Sequence, residues 1–134
     1  MLTVLLVISA IAACAKGAAK IPEDMKEMAQ ALRDNCIEET GVDPSLLGPC
    51  ENGNFADDPK LKCYFKCVFG QMGAITEDDE LDADAFESIL PPELSVLGKS
   101  IMACKDTKGS DGCDMAMKFN QCIYGKDPAN FLVI

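Results

Sequence analysis

Histidine and tryptophan are both absent from the 134 residues. Without histidine there is no Ser-His-Asp or Cys-His catalytic set, no His-Asp pair of a secreted phospholipase, and no Cys2His2 zinc site. A histidine pH switch is excluded on the same ground. Basic residues are scarce, 12 against 22 acidic, with Arg33 the sole arginine, and the net charge is -10. That charge repels nucleic acid and anionic membrane surfaces at long range, so neither is an expected partner, and solubility at high concentration is its better use. The longest apolar run, Leu2 to Ala15, is too short to span a bilayer, so no stable membrane insertion is expected. No N-x-S/T sequon occurs, and N-glycosylation is not expected.

The apolar opening carries another meaning. It ends in Ala13-Cys14-Ala15, an A-x-A cleavage pattern, and Gly17-Ala18-Ala19 offers a second. Residues 1–19 are expected to be a signal peptide cleaved after about residue 15 or 19, although its start lacks the usual Lys or Arg. The Ile11-Ala-Ala-Cys14 stretch also matches a bacterial lipoprotein box. The remaining 20–134 fits one domain whose apolar content, 49% over the whole chain, can supply a core.

Six of the eight cysteines carry a pattern: Cys36, 26 residues, Cys63-x3-Cys67, 36 residues, Cys104-x8-Cys113-x8-Cys122. Cys63 and Cys67 lie one helical turn apart on one face, where bridging each other would strain a disulfide, so each is expected to reach a different neighbour. Cys113 and Cys122, about 13.5 Å apart along one helix, face opposite sides and cannot bond each other. Loss of Cys14 with the leader leaves seven cysteines, hence three bridges and one free thiol. Cys50 is the odd one, in Gly48-Pro-Cys-Glu-Asn-Gly53, whose turn residues allow exposure; it reads first as a quiet, partly buried thiol, with an intermolecular disulfide as the alternative. Sequence alone leaves fifteen pairings of the six open.

Helical periodicity organises the rest. Met25, Met28, Ala29, Leu32 and Cys36 mark a first helix from Ile21-Pro22 to Gly41. Asp43-Pro44 opens a short second, stopped by Gly48-Pro49, and Pro59 starts a third with Leu61, Tyr64, Phe65, Val68 and Met72 inward. A fourth runs around Asp82 to Leu90, a fifth begins at Pro92 with Leu94, Leu97, Ile101 and Met102, and Asp111 caps a sixth through Ala116, Phe119, Cys122 and Ile123. The acidic run Thr76 to Asp84 is no EF-hand: a loop starting at Asp78 has Ala83 in place of glycine and Ile89 in place of the bidentate glutamate. It reads as a solvated loop supplying caps to helix four. Periodicity alone assigns the apolar residues to ordinary core packing. The ending Phe131-Leu-Val-Ile134 would be a sticky end in water, so the segment after Pro128 is expected to fold back onto the bundle.

The cysteine spacing, the stretch Lys60-Leu-Lys-Cys-Tyr-Phe-Lys-Cys-Val-Phe69, the Leu90-Pro-Pro92 junction and the ending Asp127-Pro-Ala-Asn-Phe-Leu-Val-Ile134 resemble the insect odorant-binding proteins, the six-cysteine type whose C-terminal tail closes the pocket. The resemblance covers about residues 22–134. It implies an all-α, six-helix, disulfide-stapled bundle enclosing an apolar ligand cavity between helices three to six, with residues 127–134 as the tail. It implies the bridges Cys36 with Cys67, Cys63 with Cys113, and Cys104 with Cys122. Ligand contacts would come from Phe65, Phe69, Met72, Phe86, Leu90, Leu94, Leu97, Ile101, Phe119, Ile123, Phe131, Leu132 and Val133, with Tyr64, Tyr124, Asn120 or tail amides orienting a carbonyl or hydroxyl. The implied protein is a secreted carrier of a small hydrophobic volatile or lipid-like ligand, not an enzyme, without metal or cofactor, delivering cargo to an olfactory receptor. If release depends on pH, carboxylates such as Asp127 or a terminal carboxylate at Ile134, facing Arg33, are the candidates. The competing expectation is an interaction protein in which Cys50 links a homodimer or a receptor contact.

Overall fold

A computed structural model describes residues 20–134. The expected leader, residues 1–19, lies outside the described residues. A 3₁₀ turn, Glu23–Met25, leads into α1 (Lys26–Thr40); a second, Pro44–Leu46, leads into α2 (Leu47–Cys50). Then come α3 (Pro59–Gln71), α4 (Ala83–Ser88), a 3₁₀ stretch Pro92–Leu97 running into α5 (Gly98–Ala103), and α6 (Gly112–Lys126). The fold is all-α. The one ladder contact among the described residues is an isolated antiparallel bridge between Ile75 and Leu81 that closes the acidic loop.

Local chemistry sets the helix ends. Asp58, Asp82 and Asp111 each accept a hydrogen bond from the backbone N–H three residues on, at 2.9, 2.9 and 2.8 Å, starting α3, α4 and α6. Such caps contribute about 1 kcal/mol each. Pro59, with its fixed φ and no N–H to satisfy, occupies the first position of α3. The acidic loop thus supplies the cap of α4, through Asp82. Gly41, at φ +66°, ends α1 in the left-handed turn that glycine adopts without steric cost, its N–H returning to the Ile37 carbonyl at 2.9 Å.

One element differs from expectation. The fifth helix does not start as an α-helix at Pro92; its first six residues wind as 3₁₀. In that tighter coil, positions three apart lie in line. Leu94 and Leu97 therefore both turn inward and are buried.

The interior is built on the pairing of α3 with α6, the most extensive helix contact, with α1 against α3 and α4 against α5. Phe65, Val68 and Phe69 of α3 and Met115, Ala116, Phe119 and Ile123 of α6 are buried in it. Three disulfides fasten this frame: Cys36–Cys67 ties α1 to α3, Cys63–Cys113 ties α3 to α6, and Cys104–Cys122 ties the end of α5 to α6. These are the partners that the resemblance implies. Closing loops of 31, 50 and 18 residues, each bridge destabilises the unfolded chain by about 3 to 4 kcal/mol in the entropic account.

Cys50 is unpaired and buried, as the reading of a quiet thiol expects, and more deeply than the partial burial that reading gave it. Its side chain is fully buried at the end of α2, and its sulfur donates to the Leu46 carbonyl at 3.2 Å. The turn-forming neighbours face solvent while the helix they terminate rotates Cys50 inward. Burial pushes the thiol up to about 11, so it stays protonated and unreactive at neutral pH. A sulfur so placed cannot link a second chain while α2 stays docked.

Candidate functional site

A cavity of ≈ 600 Å³ lies inside the frame. Its walls come from six parts of the chain. Helix α3 supplies Tyr64, Phe65, Val68, Phe69 and Met72; α4 and the proline junction supply Phe86, Ile89, Leu90 and Pro91. The 3₁₀ stretch and α5 add Leu94, Leu97 and Ile101, and α6 adds Asn120 and Ile123. The C-terminal segment adds Phe131, Leu132, Val133 and Ile134. Finally, Ile21, Met25, Met28, Ala29 and Leu32 from the start of α1 complete the enclosure.

That last wall is the part the sequence reading missed, since it placed the cavity between helices three to six. The signal was in the chain: an apolar stripe from Met25 to Leu32 at helical spacing. In the structure only Cys36 of α1 is buried, so most of that stripe meets open space instead of packed side chains. Met28 and Ile89, 61% and 52% exposed, border both the cavity and solvent, and so stand at its rim.

Twelve of the thirteen residues expected as ligand contacts line this space. Phe119 does not. It is completely buried, its ring edge-on to Phe69 at 5.3 Å and to Phe86 at 6.3 Å, so it supports two lining rings from behind. Tyr124 is likewise withdrawn. It packs on Phe55 and Phe131, with ring centroids at 6.1 and 5.3 Å, and its hydroxyl donates to the Asn52 carbonyl at 3.1 Å. Gly53, at φ +84°, admits this approach, because a Cβ there would strike the Tyr124 ring.

The tail is docked, as its apolar composition required. Phe131 is buried beneath Phe55 and Tyr124, and Leu132, Val133 and Ile134 are partly buried against the core. Tyr64, fully buried, donates its hydroxyl to the main-chain oxygen of Ile134. Burial pushes this phenol up to about 12, so it remains a donor throughout the physiological range. Asp127 accepts from Asn130 at 2.8 Å, and Arg33 forms no ion pair among the described residues; the tail is held without the arginine contact considered from sequence.

Among the described residues no Asp, Glu, Lys or Arg lines the cavity, and the polar side chains in its wall are Asn35, Tyr64, Gln71 and Asn120. Such a surface favours desolvated apolar cargo and has no group suited to proton transfer or nucleophilic attack. Cys36, Glu39 and Cys67 cluster within metal-binding distance, but the two sulfurs are bonded to each other, leaving one carboxylate. No helix of the described residues is long and apolar enough to cross a membrane.

Comparison with known proteins agrees with this architecture. General odorant-binding protein 69a of Drosophila melanogaster is 29% identical over 93 residues, covering 68% of this chain and 63% of that protein. Among solved structures, odorant binding protein 4 of Chrysopa pallens superposes with a TM-score of 0.73 at 31% identity, covering 85% of this chain and 100% of that one. Apis mellifera odorant binding protein 5 shares the fold at a TM-score of 0.76 and 23% identity, over 87% of this chain and 99% of the other. The model of the PBP/GOBP family matches residues 18–126. With six cysteines at these spacings, three bridges between these helices and that match over most of its length, the chain belongs to the PBP/GOBP family, that of the insect odorant-binding proteins.

Proposed function

We propose that this chain is a secreted carrier that takes small hydrophobic molecules, odorants or pheromones, into its internal cavity and moves them through an aqueous fluid. The observation that carries the reading is the ≈ 600 Å³ cavity with an uncharged, predominantly apolar wall, held open in a small domain by three disulfides. An unstapled core of this size would collapse such a space, because each unfilled volume forfeits contacts and stability. Membership of the odorant-binding family and the names of the relatives support the same cargo class.

Binding works by desolvation. Apolar ligand surface leaves water for Phe65, Phe69, Met72, Phe86, Leu90, Leu94, Leu97, Ile101, Ile123, Phe131, Leu132 and Val133, with the methionines of α1 and α3 adapting to different shapes. In this reading residues 1–19 are the cleaved leader, and the tail from Asp127 is the cover whose opening releases the cargo to an olfactory receptor.

The test is displacement of N-phenylnaphthylamine from purified protein by a homologous series of alcohols. Each added CH2 should tighten binding by about 0.8 kcal/mol, or roughly fourfold, until the cavity is full. Affinity independent of chain length, or no saturable uptake of the dye, would sink the carrier reading. The mass of the protein recovered from culture medium of expressing cells locates the cleavage point.

A further inference from the structure

The cavity wall is apolar apart from four side chains, and three of these are already occupied or peripheral. Tyr64 has its proton on the Ile134 main-chain oxygen. Gln71 is exposed and directs its amide to the Cys36 and Cys67 sulfurs at 3.5 and 3.4 Å. Asn35 is exposed at the edge.

Asn120 differs from all of them. It is 6% exposed, on the inner face of α6, and no side-chain hydrogen bond to it is found among the described residues. No fully enclosed side-chain polar atom among the described residues lacks a partner. The uncommitted amide must therefore border space, and the space its residue borders is the cavity. An amide that faces an apolar space without a protein partner is open to a ligand, and a ligand able to complete its hydrogen bond gains that contact.

We infer that Asn120 is the polarity-reading residue of this cavity, selecting neutral cargo with an apolar body and one hydrogen-bonding end, an alcohol, aldehyde, ketone or ester. The inference rests on the carrier reading above and adds the side chain that reads the polar end of the cargo. The Asn120 Nδ2–H donates to a carbonyl, and Oδ1 accepts from a hydroxyl; one side chain serves both chemistries. Ionised carboxylates are rejected, because among the described residues no cationic side chain lines the wall to compensate a desolvated charge.

Competition against N-phenylnaphthylamine with 1-decanol, 2-decanone, decane and decanoate near pH 7 tests this in the wild type and in Asn120→Leu, which keeps the side-chain shape and removes the amide. Decanol and decanone should each lose about 3- to 10-fold in affinity in Asn120→Leu, while decane is unchanged or tighter. Decanoate should bind the wild type at least ~10-fold more weakly than decanol. A uniform change across the series, no change for decanol and decanone, or decanoate binding level with decanol would overturn the inference. An independent readout needs no variant: the infrared carbonyl stretch of 2-decanone bound to wild type should fall below its value in hexane, and an unshifted band would overturn the assignment. If the dye itself does not bind wild type, the carrier reading fails first and takes this inference with it.

Discussion

Among the described residues the Tyr64 hydroxyl makes the single polar contact between the cavity's helical wall and the end of its tail, and its removal gives a sharp prediction. Burying Phe131, Leu132, Val133 and Ile134 yields roughly 6 to 10 kcal/mol gross, and the Tyr64 hydrogen bond adds about 1 kcal/mol. Ordering about seven residues of tail costs ~7 to 14 kcal/mol. The two sides nearly cancel, so the closed tail sits close to balance with an open one, and a loss of 0.5 to 1.5 kcal/mol (about 2- to 13-fold) passes directly into the open population. Tyr64→Phe keeps the buried ring and deletes only the donor. Stopped-flow dissociation of a fluorescent apolar dye should speed up by about 2- to 13-fold, with the urea midpoint of the whole domain almost unmoved. Truncation after Asp127 removes a wall as well as the contact and should give a larger acceleration. The reasoning is refuted if truncation accelerates release but Tyr64→Phe does not, since the hydroxyl would then hold nothing. It is refuted at its base if neither does. The phenol's pKa is raised from 10.0 to about 12 by burial, so its contribution to closure is complete below pH 10 and fades only as pH rises from there toward 12. Release through this contact should show no change between pH 5 and 9.

Three further outcomes follow from the same geometry. Phe119→Ala should destabilise the fold by about 3 to 5 kcal/mol in urea unfolding, because the ring is completely enclosed behind the cavity wall; a loss under about 1 kcal/mol would contradict that placement. Asp114 is held at about 2 by the Ser110 backbone N–H first and by the Lys118 ammonium beside it. Because the folded value is depressed, its stabilisation is present above about pH 4 and lost as pH falls toward 2, so the stability gap between wild type and Asp114→Asn should be level above pH 4 and close by pH 2. A gap that persists at pH 2 would exclude the ionised carboxylate as its source. Cys50 in the native protein should alkylate with iodoacetamide at least ~100-fold more slowly than in urea at pH 8, given a thiol pushed up to about 11, and non-reducing electrophoresis should give a monomer. Rapid native labelling or a reducible dimer would revive the linkage through Cys50.

Much of this protein is written locally. Pro59 after Asp58, Asp111 before α6 and Gly41 after α1 mark helix ends through hydrogen bonds that span only three or four residues, and such bonds are decided by neighbours in the chain. The cysteine spacing likewise excludes particular pairings through helix geometry alone. The tail's return was legible because four consecutive apolar side chains gain by leaving water.

Tertiary structure decided what fills the interior. Phe69 and Phe119 both sit on inward-facing stripes, yet one lines the cavity and the other is packed behind it. Met25 and Leu32 read like core, and they border the cavity instead. Cys50 reads like a turn and is enclosed. Periodicity reports which side of a helix faces inward, a property of residues three and four apart. Whether the volume opposite is occupied depends on how far apart six remote segments are held, and only the folded chain with its bridges fixes those distances.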